Sequence, residues 1–148
     1  MKTLLKALAV IVLSLAVVGG VVFGLGDDET LVSPPEIVAE RFIDALGHGR
    51  PGAARDLLAE SAARSASMTT VTEASRRLRS RIGDLEHVKA IAQNRRRSRA
   101  TVRVEIEGSR MQLALALPLV LERGEWRIEE FGGALAQSAL PPTENRAR

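Results

Sequence analysis

The spacing of apolar residues changes along this chain, from one long uninterrupted run to a helical period and then to alternation. Residues 7–26 contain no charged side chain, and a helix of that length spans about 30 Å, the thickness of a bilayer's hydrocarbon core. Lys2 and Lys6 precede the run and three acids follow it, a charge step that favours a cytoplasmic N-terminus. The pattern predicts a single-pass transmembrane anchor over 1–26, with the remaining chain outside the cytoplasm.

A cleaved signal peptide is the alternative for the same segment. Signal peptides have an apolar core of about 7–15 residues, followed by small residues before the cut. Here the run is longer, and the candidate cleavage sites, Val18-x-Gly20 and Gly24-x-Gly26, are poor matches to Ala-x-Ala. We therefore expect an uncleaved anchor. Because the chain has no cysteine, a lipid-modified cysteine after cleavage is excluded.

Three amphipathic helices are predicted after a short linker at 27–33. The first, over 34–46, opens with two prolines and an acid, which suit a helix N-terminus, and glycine ends it. The second begins near residue 51 and fades towards 63. The third is predicted over 70–82, because Thr70 and the glutamate three residues later match a capping box.

Beyond the third helix the apolar period shortens to two, which is typical of half-buried strands. The predicted strands are 87–93, 101–107, 111–121 and a last one from Trp126 towards Phe131. Gly108-Ser109 and Arg123-Gly124 supply tight turns between them, and Pro118 indicates a sheet edge or a bulge.

The predicted fold class is therefore α+β, with about three helices packed on a curved antiparallel sheet of about four strands. One face of that sheet is apolar, and the amphipathic helices are the material available to cover it. The domain is predicted to span 34–132 and to be followed by a flexible tail over 133–148.

Two stretches of sequence carry a resemblance to a known superfamily. They are Pro35–Leu46, continued by Gly49-x-x-Gly52-Ala53-Ala54 and Leu57-Leu58, and the strand–turn–Trp hairpin Leu119–Ile128. With this order of elements, the chain resembles the nuclear-transport-factor-2-like (NTF2-like) superfamily, whose fold is a cystatin-like cone. It looks most like small bacterial membrane-anchored or envelope proteins of that group. The resemblance implies the cone fold over 34–132 and little about function, because the superfamily includes enzymes, binding modules and assembly proteins.

Alternate apolar residues of the long predicted strand would line the interior of such a cone. A packed core is their ordinary role, and an open interior would instead hold a small apolar ligand. The candidate ligand-binding residues are Met111, Leu113, Leu115, Trp126 and Glu130, the last being the acid that alternation turns inward.

The sequence contains no catalytic or metal-binding signature. His48 and His87 are its only histidines, and without cysteines or a ligand spacing they predict neither a metal nor a cofactor. The resemblance implies that a proton-moving enzyme would pair an inward carboxylate with a donor such as tyrosine. This chain has no tyrosine, although Asp44 and Asp56 lie beside the apolar stripes of their helices.

The charge distribution offers a further candidate site. The net charge of +3 hides a −5 segment over 27–60 and a +8 segment over 76–103. The candidate partner-binding residues in the basic segment are Arg76, Arg77, Arg81, Arg96 and Arg97. A nucleic-acid partner is disfavoured, because the segment is predicted to lie outside the cytoplasm and has no interleaved aromatics for stacking.

A solvated face is the ordinary explanation of these arginines, and an acidic protein or anionic lipid headgroups are the functional ones. The sequence therefore predicts a membrane-anchored, non-catalytic binding or assembly module of the bacterial envelope. A carrier of a small apolar ligand is the second interpretation and an enzyme the third. A homodimer is compatible with all three.

Overall fold

Residues 32–137 are the part of the chain that the computed structural model describes. Its elements are α1 (Pro35–Gly47), α2 (Pro51–Asp56), α3 (Glu60–Ser65), α4 (Met68–Ile82), β1 (Leu85–Arg95), β2 (Arg99–Gly108), β3 (Gln112–Glu122), β4 (Glu125–Ile128) and α5 (Gly132–Gln137). The strands form one antiparallel sheet in the order β1-β2-β3-β4, so the predicted α+β class is confirmed. The predicted anchor and residues 138–148 of the predicted tail lie outside the described residues. Within 32–137, no helix is long and apolar enough to cross a membrane.

The inner face of the sheet is built by the alternation seen in the sequence. Val102 lies opposite Leu117 and Val104 opposite Leu115 in the β2–β3 register, and all four side chains are buried. Helix α1 covers this face, and its Phe42 ring meets Phe131 edge-on at 5.5 Å between centroids. The amphipathic stripe of α1 and the apolar strand face therefore form one core.

Other parts of the domain hydrogen-bond to each edge strand of the sheet. Beside β4, the predicted second helix is interrupted, and Ala59 N donates to Ile128 O at 2.8 Å while Ile128 N donates to Leu57 O at 2.9 Å. Beside β1, a carboxylate oxygen of Glu40 accepts the N–H of Ala90 at 3.0 Å. Each bond satisfies a backbone group that would otherwise be open to pairing with another strand.

Helix α4 begins two residues earlier than predicted. Its N-cap is Ser67, whose Oγ accepts the N–H of Thr70 at 3.1 Å. The capping box predicted at Thr70 is therefore wrong, and Glu73 instead pairs with two arginines of the next turn. The earlier start leaves the buried stripe of the helix unchanged and satisfies an N–H that would otherwise lack a partner.

Pro118 lies within β3 without interrupting its pairing with β2. Its carbonyl accepts the N–H of Glu129 at 2.9 Å, just after β4 has ended at Ile128. The N and C=O of a strand residue point to the same side, so the ring nitrogen also faces away from β2. Pro118 therefore removes no donor from the β2–β3 ladder.

The chain does not leave the domain directly after β4. Residues Gly132–Gln137 form α5, which packs against β3 and α4, so the start of the predicted tail is helical. Leu135 N donates to Phe131 O at 3.2 Å, and the Leu135 side chain packs against the core.

Candidate binding groove between helices 4 and 5

The predicted ligand-binding residues do not surround one interior cavity. Leu115 and Trp126 are 5% and 4% exposed and belong to the packed core. Met111 is 45% exposed, because it lies in the β2–β3 turn, where Gly108 N donates to Met111 O. Glu130 is exposed as well, because β4 ends at Ile128 and the alternation ends with it. The prediction that Met111 and Glu130 face the interior is wrong.

Leu113 is the predicted ligand-binding residue that reaches an open groove. This α4–α5 groove has a volume of about 500 Å³ and lies between α4, the start of β3 and α5. Its apolar floor consists of Ala74, Leu78, Leu113, Phe131 and Leu135. Its rim carries the hydroxyls of Thr69, Thr70 and Ser80, the carboxylate of Glu73, and two of the predicted arginines, Arg77 and Arg81. The groove thus combines an apolar floor with a polar, partly cationic rim.

Hydrogen bonds hold the rim arginines in place. Arg77 Nε donates to a carboxylate oxygen of Glu73 at 3.1 Å, and Arg76 donates to the other oxygen at 2.8 Å from the outside of the groove. Arg81 donates to the backbone carbonyl of Leu135 at 3.1 Å, which connects α4 with α5. The rim therefore presents two guanidinium groups and one carboxylate.

The two predicted arginines of the β1–β2 turn lie at the opposite end of the sheet. Arg96 and Arg97 are exposed in the β1–β2 turn, beside the first residue of β2. Gly108, the last residue of β2, touches the end of α4, because a Cβ placed on it would lie 2.4 Å from Ile82 O. A ten-residue strand is about 30 Å long. The two groups of arginines therefore do not form one patch.

Both histidines line a second groove, of about 410 Å³, between the end of α1 and the start of β1. His48 Nδ1 lies 3.1 Å from an Asp44 carboxylate oxygen, and Asp44 also pairs with Arg50. His87 is 82% exposed and lies 3.9 Å from a Glu107 oxygen. In the part of the chain that the structure describes, no group of three or more histidine, aspartate or glutamate side chains is placed to hold a metal ion.

The two predicted helical carboxylates lie at the surface of the domain. Asp44 is about half exposed in its pair with His48, and Asp56 is exposed at the end of α2. Neither side chain is buried in the core beneath the sheet. No local pattern predicts that His48 and His87 share a groove, since 39 positions separate them in the chain.

Comparison with known proteins identifies the fold. No protein-family model matches this sequence, and no curated protein does. Among solved structures, the chain is similar to a proposed NTF2-like transpeptidase from Campylobacter jejuni, with a TM-score of 0.55 and 16% sequence identity. The alignment covers 67% of this chain and 100% of that one. The helices of residues 32–137 and their four-stranded antiparallel sheet therefore have the NTF2-like fold.

Proposed function

We propose that this protein is a membrane-anchored, non-catalytic binding module of the bacterial cell envelope. Its domain lies outside the cytoplasm, and its α4–α5 groove receives an acidic segment of a partner protein. The observation that carries the proposal is the coincidence of Leu113, Arg77 and Arg81 in one groove. The N-terminal charge step and the uncharged run at 7–26 support the location.

The groove's chemistry suits a segment that carries both apolar and acidic side chains. Apolar side chains of the partner would lie on Leu78, Leu113 and Phe131 and lose contact with water. Its carboxylates would accept charge-assisted hydrogen bonds from Arg77 and Arg81, which are stronger than bonds between neutral groups. The bond from Arg81 to Leu135 O already orients that guanidinium at the rim.

An acidic protein segment is favoured over an anionic membrane surface. Binding to headgroups needs several cations on one surface, whereas Arg77 and Arg96 lie near opposite ends of a strand about 30 Å long. Glu73 also lies between Arg76 and Arg77 and offsets part of their charge. A concave groove with an apolar floor fits a protruding segment better than a flat bilayer surface.

A carrier of small apolar ligands is the second candidate. The groove's volume of about 500 Å³ falls within the usual range for small-molecule sites, and five apolar residues form its floor. A third candidate, an enzyme, has the least support in this chain. The similar solved protein is named as a transpeptidase. A hydroxyl nucleophile is activated by an adjacent base such as histidine. Within 32–137, neither histidine is hydrogen-bonded to a hydroxyl, and the buried Ser75 donates its hydroxyl to Leu46 O.

Two matched double variants test the proposal. The probe is a fluorescein-labelled amphipathic peptide with leucine and glutamate at helical spacing, titrated into the full chain in detergent. Arg77→Gln/Arg81→Gln should raise its Kd at least tenfold, because each charge-assisted bond contributes about 1.5–3 kcal/mol. Arg96→Gln/Arg97→Gln removes the same charge elsewhere and should change the Kd less than about twofold at physiological salt.

Each other outcome decides between the candidates. Equal loss in both double variants would mean that only net charge matters, and the groove proposal would be wrong. No loss in either would exclude the arginines as the binding site. Sodium dodecanoate that binds unaltered protein tightly, when the peptide does not bind, would favour the carrier.

A further inference from the structure

The β1–β2 turn and the strand residues on each side of it, 95–99, form a surface that we call the arginine hairpin. Its exposed cations are Arg95, Arg96, Arg97 and Arg99. Arg96 N donates to Arg99 O at 2.8 Å, which closes the turn and holds the four side chains at the tip. Arg99 pairs with Glu129 at 3.1 Å, whereas within 32–137 no ion pair involves Arg96 or Arg97. The arginine hairpin therefore concentrates like charges that repel one another unless an anionic surface neutralises them.

Helix α1 begins at the same end of the domain as the arginine hairpin. Gly47, the last residue of α1, lies against the start of β1, because a Cβ on it would lie 2.6 Å from the Leu85 side chain. About two turns earlier in the helix, Glu40 accepts the N–H of Ala90 in the middle of β1. The helix therefore runs antiparallel to β1, and its N-terminus lies towards the arginine hairpin.

The chain thus enters the domain at this end, after the predicted anchor. Residues 27–34 separate that anchor from α1, and eight residues span at most about 30 Å even when fully extended. We propose that the arginine hairpin binds anionic lipid headgroups of the membrane that holds the anchor. This inference rests on the proposed anchoring and is independent of what the groove binds.

Two exposed apolar side chains at the start of α1 favour a lipid surface as the partner. Val32 is 38% exposed and Ile37 is 37% exposed, the first just before α1 and the second in its first turn. Segments that bind at a bilayer surface combine cationic side chains with apolar ones that enter the boundary between headgroups and acyl chains. Guanidinium groups also form bidentate hydrogen bonds with phosphate.

Binding by the arginine hairpin leaves the α4–α5 groove accessible. Leu113 of the groove pairs with Ile106, near the end of β2 that lies away from the arginine hairpin. At that end, Gly108 touches the last turn of α4. The arginine hairpin and the groove therefore lie towards opposite ends of the sheet, and one chain can use both surfaces at once.

Fluorescence quenching in nanodiscs tests the proposal, since the chain has no natural cysteine. A fluorophore is attached to Ser98→Cys in the arginine hairpin or to Met111→Cys in the β2–β3 turn, and both positions are exposed. The full chain is placed in nanodiscs of phosphatidylcholine alone or mixed with phosphatidylglycerol, with a nitroxide quencher on some headgroups. Phosphatidylglycerol should raise quenching at position 98 at least about twofold, because each arginine near an anionic surface strengthens binding. Quenching at position 111 should stay unchanged.

Two double variants of the Ser98→Cys chain provide the matched comparison. Arg96→Gln/Arg97→Gln should abolish the effect of phosphatidylglycerol. Arg76→Gln/Arg110→Gln removes the same charge from exposed positions outside the arginine hairpin and should preserve it. Added salt should weaken the effect, because exposed charges are screened. Circular dichroism checks that each variant is folded.

Equal quenching at position 98 in the two lipid mixtures would overturn the proposal, because the tether alone would then account for it. Equal loss in the two double variants would overturn it as well. A chain that does not enter the nanodiscs would overturn the anchoring together with this inference. The peptide titration of the groove in detergent contains no anionic lipid, so its outcome is separate from all of these.

Discussion

The Ser75 hydroxyl donates a hydrogen bond of 2.6 Å to the backbone carbonyl of Leu46, where α4 crosses the end of α1. Leu46 is in the last turn of α1, whose carbonyls lack partners in the next turn, and it accepts a longer bond from Gly49 N. Ser75 is 4% exposed, and it is the buried polar side chain of the described core. This bond joins the two longest helices of the domain at a defined point.

Ser75→Ala should lower the free energy of unfolding by about 1 kcal/mol, because a buried carbonyl loses one of its two donors. Ser80→Ala is the control, since the Ser80 hydroxyl is exposed and donates to Arg77 O within its own helix. Urea unfolding followed by circular dichroism measures both. Equal stability of the two variants would mean that the Ser75 bond contributes nothing.

Leu115→Ala should destabilise the domain by about 2–5 kcal/mol, because the side chain is 5% exposed in the core. Met111→Ala should change the free energy of unfolding by less than about 0.5 kcal/mol, because Met111 is exposed in the turn before β3. The same urea titration compares them. A loss below about 0.5 kcal/mol at Leu115 would contradict the strand register, since a slip of one residue exchanges the faces.

Gly108→Ala should destabilise the domain by about 1–3 kcal/mol, because the new Cβ would lie 2.4 Å from the Ile82 carbonyl oxygen. That oxygen also accepts the N–H of Arg110 at 2.9 Å, so it cannot move away freely. Gly52→Ala meets no atom within 4 Å and lies in α2, so it should raise stability by about 0.5 kcal/mol. Thermal unfolding distinguishes the two signs.

Arg95→Ala should shift the fluorescence of Trp126, the single tryptophan of the chain, to longer wavelength. The Arg95 guanidinium lies 5.8 Å from the centre of the Trp126 ring and covers it from β1. Its removal admits water to the ring and loses a cation–π contact of about 0.5–1 kcal/mol. Arg97→Ala, in the adjacent turn, should leave the emission unchanged, and an identical shift in both variants would refute the contact.

Removal of residues 1–31 should leave a domain that unfolds cooperatively with mixed helix and strand signal, because within 32–137 the buried hydrophobic core runs from Val38 to Phe131. An unfolded truncated product would mean that residues 1–31 contribute to the fold.

The N-terminal sequence of the full protein extracted from membranes should begin at the start of the chain. A sequence that begins near Asp27 would show that the segment is cleaved.

Periodicity in the sequence was sufficient to predict the α+β class, the order of α1, α4 and the four strands, and the buried faces of β2 and β3. Val104 and Leu115 are buried as predicted, because the direction of a strand side chain follows from its position alone. The same rule failed at Met111 and Glu130, which lie just outside the strands that would have oriented them. Alternation holds only while the backbone is paired.

Contacts between elements were decided only by the tertiary structure. The sequence predicted Leu113, Arg77 and Arg96 as separate candidates, and the fold brings the first two into one groove while leaving Arg96 at the far end of β2. It likewise brings His48 and His87 to the lining of one groove. A local pattern determines which way a side chain points from its own helix or strand. The neighbours it meets depend on how α4, β3 and α5 pack, which minimises exposed apolar area over the whole domain.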